Sequence, residues 1–451
     1  MFFNKKVTVV GSGISGIAAV KLLLHKNAKV SLYDSNEALE KEKVLERIGA
    51  KVPVICGEFT QELAKETELL VLSPGVPTDL PFVLALKEQG VPVWGEIELA
   101  YQVAQGKFIG ITGTNGKTTT TALTGEIMKQ WFKDVFVVGN IGIPYTELAE
   151  QIGENAVTVA ELSSFQLETV QEDFVPDVSM ILNLTPDHLN RHYTMENYAR
   201  AKLNVAKHQT KDQTCILNYE DTMLREYAKE LSCRILWFSS RQKLENGLYL
   251  EGNRIFHAID GNSTEICKTE ELNIIGLHNY ENAMAAIGAA LCMNVPLTAL
   301  REGLMNFHAV EHRIEFVATK RGVDYYNDSK GTNPDAAIKG IQAMSKPTIL
   351  IGGGYDKGSE YDEWIEAFDG KVKHLVLIGQ TKEKIAETAK RLGVASVVLK
   401  DTFEEAMEFC VSHATAGDAV LLSPACASWG MFKNYEERGR IFKEYVKGIT
   451  E

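Results

Sequence analysis

The chain has 451 residues, 45% apolar and 24% charged, an ordinary balance for a soluble globular protein and enough for about three domains at roughly 150 residues each. A formal charge of -13 with no basic run argues against nucleic acid or an anionic membrane as partner, because such a surface repels polyanions. Seven scattered cysteines without CxxC spacing suit reduced thiols in a cytoplasm, and no uninterrupted apolar stretch reaches the ~18 residues of a membrane helix.

MFFNKK and the apolar run from Val7 to Val20 imitate a signal peptide, but glycines at fixed spacing explain that run better. The β-branched runs VTVVG (Val7 to Gly11), VSLYD (Val30 to Asp34), ELLVLSPG (Glu68 to Gly75) and VPVWG (Val91 to Gly95) alternate with helical stretches. Such alternation predicts a parallel sheet. GSGISG (Gly11, Gly13, Gly16) follows the first run and opens a helix, and Asp34 ends the next run, about where an acidic side chain meets a ribose. Alone, this pattern reads either as an NAD or FAD site or as a tight strand-to-helix turn.

A second α/β series restarts at KFIGITG (Lys107 to Gly113) and carries GTNGKTT. The usual phosphate loop GxxxxGK[ST] has a glycine where this chain has Ile111, so the loop is a shorter one beginning at Gly113. Its backbone N–H groups suit phosphate oxygens, Lys117 the β/γ charge, and Thr118 a Mg²⁺ ion. An ATP-dependent step follows as the stronger inference. Beyond later strands stand Glu161, a natural Mg²⁺ ligand, and His188, by its chemistry a hydrogen-bonding residue. Lys202, on a helical run, reads by default as a solvated lysine that would repel metal ions. From Asn246 to Asn273 the turn signals ENG, EGN and DGN predict an antiparallel edge, and NYENAMAAIGAALCM a closing helix.

A third series begins near His312 with a hairpin in IEFVATKRGVDYYNDS. Polar loops follow its apolar runs: YNDSKGTNPDA, GGGYDKG and SPACASWGMFKNY. Lys330 and Lys357 offer cations for carboxylates, and Thr332 and Ser428 offer hydroxyls, which suits a small acidic substrate. The expected fold is α/β in three domains: a Rossmann-like N-terminal domain (1–95), a central P-loop-type ATPase domain with a mostly parallel sheet (96–310) and a Rossmann-like C-terminal domain (311–451).

These motifs together resemble the Mur ligase family of peptidoglycan synthesis. The likeness runs through GSGISG, SPGVP, GTNGKTTT, GNIG, ELSSFQL, NLTPDHLNRH, YARAK, GLHNYENAMAA, His312–Arg313, DSKGTNPDA and SPACASWGMFKNYEERG. DSKGTNPDA and SPACAS bring it nearest to members that add D-glutamate to UDP-N-acetylmuramoyl-L-alanine. Another amino-acid-adding member, or a folylpolyglutamate synthase of the same superfamily, is the alternative.

The resemblance implies that ATP is held by Gly113, Thr114, Asn115, Gly116, Lys117, Thr118 and Thr119, with Asn279 and Asn282 at adenine and Arg313 and Asp328 assisting. The UDP-substrate would meet Gly13, Ile14, Ser15, Asp34, Ser35, Ser73, Gly75, Asn140, Ser163 and Gln166. D-glutamate would meet Lys330, Thr332, Lys357, Ser428 and Tyr435. Two Mg²⁺ ions would fall to Thr118, Glu161, His188 and Lys202, the last carbamylated and so a carboxylate rather than a repelling cation. Lys117, Glu161, His188, Lys202 and Lys330 would carry the chemistry of a cytoplasmic, monomeric enzyme. Ser35 and Asn36 stand where Thr-Arg occurs in some relatives, and Tyr435 where Phe does. Outside this class, an NAD-dependent oxidoreductase would bind NADH, and a nucleotide sensor would bind ATP and UDP-sugar without releasing phosphate.

Overall fold

A computed structural model describes residues 1–140, 143–308 and 310–450, so Ile141 and Gly142 of GNIG lie outside the described residues. Among those described, the strands form three sheets. The first takes β1 (Lys6–Val10), β2 (Lys29–Asp34), β3 (Val54–Cys56), β4 (Leu69–Leu72) and β5 (Val93–Gly95) in the order β3-β2-β1-β4-β5, all parallel.

The second sheet contains β6 (Lys107–Thr112), β7 (Val135–Gly139), β8 (Val157–Glu161), β9 (Val178–Ile181), β10 (Thr214–Asn218), β11 (Arg234–Ser239), β12 (Gly247–Glu251), β13 (Arg254–Ile259) and β14 (Asn262–Lys268). Its order is β14-β13-β12-β11-β10-β9-β6-β8-β7. The pairings β12–β13 and β13–β14 are antiparallel, as the ENG, EGN and DGN turns predict, and the rest are parallel.

The third sheet is built from β15 (Glu315–Lys320), β16 (Val323–Asn327), β17 (Thr348–Gly352), β18 (Val372–Leu377), β19 (Val397–Leu399) and β20 (Ala419–Leu422), ordered β15-β16-β20-β17-β18-β19. The predicted hairpin is β15–β16, and the other pairings are parallel. Every residue of β4, β8, β10 and β17 is buried. This is why those segments read as unbroken apolar runs: a parallel sheet covered by helices on both faces has no wet side.

The chain packs as two compact units, Met1–Lys268 with Glu281–Asn306, and Thr269–Tyr280 with the residues from Phe307 onward. The first unit contains two sheets whose apolar faces share one core, in which Val7 and Leu32 join Phe108, Ala160 and Leu217. The second unit carries a core on each face of its sheet, one with Leu350, Trp364 and Leu421, the other with Ile349, Val420 and Phe442.

In the first unit the helix Ile14–His25 starts hard against the end of β1, and a Cβ on Gly16 would lie 1.9 Å from the Gly11 carbonyl oxygen. Backbone cannot yield as a flexible side chain does. Gly16→Ala is expected to destabilise the first unit by at least ~2 kcal/mol, seen as a lower urea midpoint; an unchanged midpoint would contradict this close approach.

Candidate functional site

In the first sheet, β1 lies between β2 and β4, so the loops at their C-terminal ends meet at one edge. Asp34 accepts from Ser12 N (2.9 Å), Ser12 Oγ (2.5 Å) and Asn36 N (3.0 Å). Partial burial pushes the Asp34 carboxyl up, but the bonds from Ser12 and Asn36 outweigh it and hold the group below its ordinary value. Ser73 Oγ donates to the Gly11 carbonyl (3.3 Å), which ties the Ser73–Gly75 turn to the glycine loop. Gly13, Ile14, Ser35 and Gly75 are exposed and Ser15 is partly so. Of the ten residues expected at the UDP-substrate, seven therefore gather here.

The remaining three stand on the second sheet, whose strands β9, β6, β8 and β7 are neighbours and present four loops together. Asn140 donates from Nδ2 to Glu161 Oε1 (3.1 Å). Ser163 and Gln166 form a reciprocal cap on the short helix Ser164–Leu167, in which Ser163 Oγ accepts from Gln166 N and Gln166 Oε1 accepts from Ser163 N.

The phosphate loop joins β6 to the helix Lys117–Lys129, whose first N–H groups have no acceptor within the helix. Asn183 grips the loop from β9, its carbonyl accepting from Thr114 N (3.0 Å) and its Oδ1 from Asn115 N (2.8 Å). Gly116 has φ 86°, and a Cβ there would lie 2.3 Å from Asn282 Oδ1, which also accepts from Thr120 Oγ1 (3.2 Å). Only glycine meets both demands. Lys117 Nζ donates to the carbonyls of Gly113 (2.9 Å) and Thr114 (2.8 Å), within reach of whatever the loop's N–H groups hold. Thr118 is half-buried and Thr119 buried on the first helical turn.

Glu161 is 2% exposed, and its Oε2 is buried without a hydrogen-bond partner among the described residues. A buried carboxylate oxygen lacking a donor is costly unless a cation meets it. Thr118 stands on the first turn of the helix after β6, the strand paired with β8 that ends at Glu161, and a hydroxyl with a carboxylate is a donor set that fits a hard divalent cation such as Mg²⁺. His188 opens the turn Leu189–His192 with φ 53°, its half-exposed ring 5.0 Å from Phe165 and its Nε2 3.5 Å from the Asp187 carboxylate.

Lys202 is not the solvated helix lysine of the default reading. It is 2% exposed, donates to the Gly113 carbonyl (2.7 Å) and lies 4.7 Å over the Tyr198 ring. Burial first, then the charge of Lys117, hold its ammonium well below the ordinary lysine range, against the pull of Asp187 and Glu161. Lys202, Lys117 and Glu161 thus come together around the phosphate loop.

In the second unit, β16, β20 and β17 are neighbours, and the loops carrying Lys330, Ser428 and Lys357 leave their ends. Asp328 accepts from Ser423 Oγ (2.6 Å) and Ile314 N (3.3 Å), and burial pushes its carboxyl up to about 7 although Ser423 and the charge of Arg313 oppose the rise. Arg313 Nε is buried with no hydrogen-bond partner among the described residues. Asn279, which falls in this unit whereas Asn282 falls in the first, donates to the Ile275 carbonyl (2.8 Å). Lys330 lies 5.7 Å over the Tyr435 ring and Lys357 4.7 Å over Trp429. Burial, then Glu436, pushes the Tyr435 hydroxyl up to about 12. Thr332 N donates to the Lys330 carbonyl, and Ser428 is buried.

The Asp328 shift gives a pH test. Its folded value lies above its ordinary 3.8, so its share of stability is complete below that value and is lost as pH climbs to about 7. Asp328→Asn is expected to flatten this decline, by up to ~1.4 kcal/mol per pH unit inside the window, in urea titrations of the whole chain. An identical slope in the variant would contradict it.

Several residues at these loops lie within the quoted motifs but carry no role in the sequence reading. Tyr198, whose hydroxyl lies 3.1 Å from Thr114 Oγ1, stands four residues before Lys202 on one helix face, a spacing that was there to be read. Ser12, Asn183 and Ser423 are short polar residues beside glycines or strand ends, and only tertiary contact reveals their partners. Arg438, fully buried, donates to Ser329 Oγ (2.9 Å), the Ser329 carbonyl (2.7 Å) and the Cys426 carbonyl (3.2 Å), joining two of the loops.

Residues 5–95 match the Mur ligase MurD-like N-terminal domain, 111–290 the Mur ligase middle domain, and 312–426 the Mur ligase glutamate ligase domain. The chain belongs to the Mur ligase family. It is 58% identical over 452 residues, 100% of this chain and 99% of the relative, to the UDP-N-acetylmuramoylalanine--D-glutamate ligase of Lachnoclostridium phytofermentans. To the ligase of the same name from Lachnospira eligens it is 55% identical over 447 residues, 99% of each chain. The crystal structure of UDP-N-acetylmuramate-alanine ligase from Thermotoga maritima shares the fold, with a TM-score of 0.60 at 18% identity over 98% of this chain and 99% of that one.

Proposed function

We propose that the chain is an ATP-dependent amide ligase joining D-glutamate to UDP-N-acetylmuramoyl-L-alanine in peptidoglycan precursor synthesis. The observation that carries this reading is full-length identity of 58% to a relative named for that reaction. In this reading the segments 1–95, 96–310 and 311–451 serve the UDP-substrate, ATP and D-glutamate respectively. The glycine loop with Asp34 and the Ser73–Gly75 turn holds the UDP group, and Asn140, Ser163 and Gln166 hold the remainder.

The N–H groups and Lys117 of the phosphate loop orient ATP with its γ-phosphoryl group toward the substrate carboxylate. Thr118 and Glu161 would hold one Mg²⁺ ion, His188 and a carbamate on Lys202 a second; when bound, the ions neutralise charge on the phosphate oxygens. Burial of Lys202 supports the carbamate, since carbon dioxide adds to a neutral amine. The phosphoryl group passes to the carboxylate oxygen, ADP departs, and the amine of D-glutamate attacks the acyl phosphate so that an amide forms and phosphate leaves. Lys330, Lys357, Thr332, Ser428 and Tyr435 present the amino acid, and Asn279, Asn282, Arg313 and Asp328 steady the nucleotide. Such catalysis is chiefly positioning and electrostatics.

Among the described residues no helix is long and apolar enough to cross a membrane, and all seven cysteines are free thiols. In this reading the enzyme works in the cytoplasm as a monomer. Mass spectrometry of a reaction containing ATP, Mg²⁺, UDP-N-acetylmuramoyl-L-alanine and D-glutamate is expected to show a product heavier by one glutamyl residue. A product formed only with a different amino acid would move the chain to a sister activity.

A further inference from the structure

The loop after β4 and the helix Ser164–Leu167 belong to different sheets of the first unit and face each other across a small cavity lined by Ser73, Val76, Thr78, Phe165 and Gln166. Glu168, 16% exposed at its side chain, ends that helix. Three groups converge on its carboxylate. Arg191 Nη2 donates to Oε2 (2.8 Å), Thr78 Oγ1 donates to the same oxygen (3.2 Å), and His192 Nδ1 lies 3.4 Å from Oε1.

Each of these groups reaches a proposed substrate element. Arg191 also donates to the Val76 carbonyl (3.2 Å), one residue beyond Gly75, and stacks its guanidinium 4.9 Å over Phe165. His192 Nε2 meets Ser164 Oγ at 2.9 Å, one residue beyond Ser163, and its ring stacks 5.4 Å from Phe165. The turn bearing both begins at His188, whose carbonyl accepts from the N–H groups of Arg191 (2.9 Å) and His192 (3.1 Å). Holding Arg191 and His192 therefore fixes the backbone that aims His188.

We propose that Glu168 is a positioning residue which, through Arg191, His192 and Thr78, locks the Ser73–Gly75 turn and the Ser163 cap into one substrate-binding arrangement. It touches no substrate itself. The inference rests on the reading that those two elements line the UDP-substrate. Charge-assisted bonds at low exposure are strong enough for the task, and a bidentate-capable guanidinium fixes direction as well as distance.

The test is calorimetric binding of UDP-N-acetylmuramoyl-L-alanine, without ATP or Mg²⁺, to the whole chain and to Glu168→Gln and Arg191→Met. Each variant is expected to raise Kd about tenfold, a loss of ~1.4 kcal/mol, with the double variant weaker by less than the sum of the two because both remove the Arg191–Glu168 bond. Affinity for a non-hydrolysable ATP analogue should be unchanged, whereas a general loss of structure would lower both affinities. If either variant melts early, Glu168→Asp and Arg191→Lys serve, with smaller increases of about threefold expected from the displaced charge. Folded variants binding the UDP-substrate as tightly as the parent would overturn this inference alone. A parent protein that does not bind the ligand at all would overturn the ligase reading, and this inference with it.

Discussion

Lys117→Ala is expected to lower kcat by about 10³-fold, the scale on which removing one preorganised charge from a transferring phosphoryl group acts. Lys117 is anchored to the Gly113 and Thr114 carbonyls of its own loop, so truncation removes a charge and leaves the scaffold standing. Asn183 still grips the loop through Thr114 and Asn115, and Gly116 still nests on Asn282. The KM for the UDP-substrate should therefore move little while turnover collapses, the signature of an interaction made mainly in the transition state. Steady-state assays varying ATP, the UDP-substrate and D-glutamate in turn decide the matter. Retention of more than about a tenth of parental turnover would remove Lys117 from the charge-stabilising role.

Lys202→Ala is expected to lose nearly all activity, about 10³-fold or more, and to recover part of it when short carboxylic acids such as acetate or propionate are added. A free lysine here sits badly: it is buried, close to Lys117, and bonded to a loop carbonyl rather than to a carboxylate. As a carbamate the same side chain would carry negative charge and offer oxygen ligands. Rescue separates the two roles. A small carboxylate can occupy the space of a carbamate, but it cannot replace an ammonium donating to Gly113. Loss without rescue would mean that the hydrogen bond to the loop matters and the carbamate does not, and parental turnover in the unsupplemented variant would refute both.

Much of this architecture is legible in the sequence, for identifiable reasons. Parallel strands such as β4 and β8 are buried on both faces and so appear as unbroken apolar runs closed by glycine or acidic residues at their functional ends. GTNGKTT announces itself because phosphate binding needs glycines, a lysine and a hydroxyl at fixed offsets. Side-chain environment is another matter. Lys202 looks solvated in a run of helical residues, and only the packing of its helix against the phosphate loop buries it. Ser163 and Gln166 cap a helix four residues long, too short to leave a periodic signal. Asp328 owes its raised carboxyl to burial beside Ser423, ninety-five positions away in the chain, which no local pattern encodes. The two halves of the HNYEN element fall in different compact units, a partition invisible in one continuous helical run.

Phosphate release with Mg-ATP and UDP-N-acetylmuramoyl-L-alanine, run in parallel with D-glutamate, L-glutamate and no amino acid, tests the central claim most directly. Release that depends on D-glutamate is the expected result. Release independent of any amino acid, or no release in any of the three reactions, would contradict it.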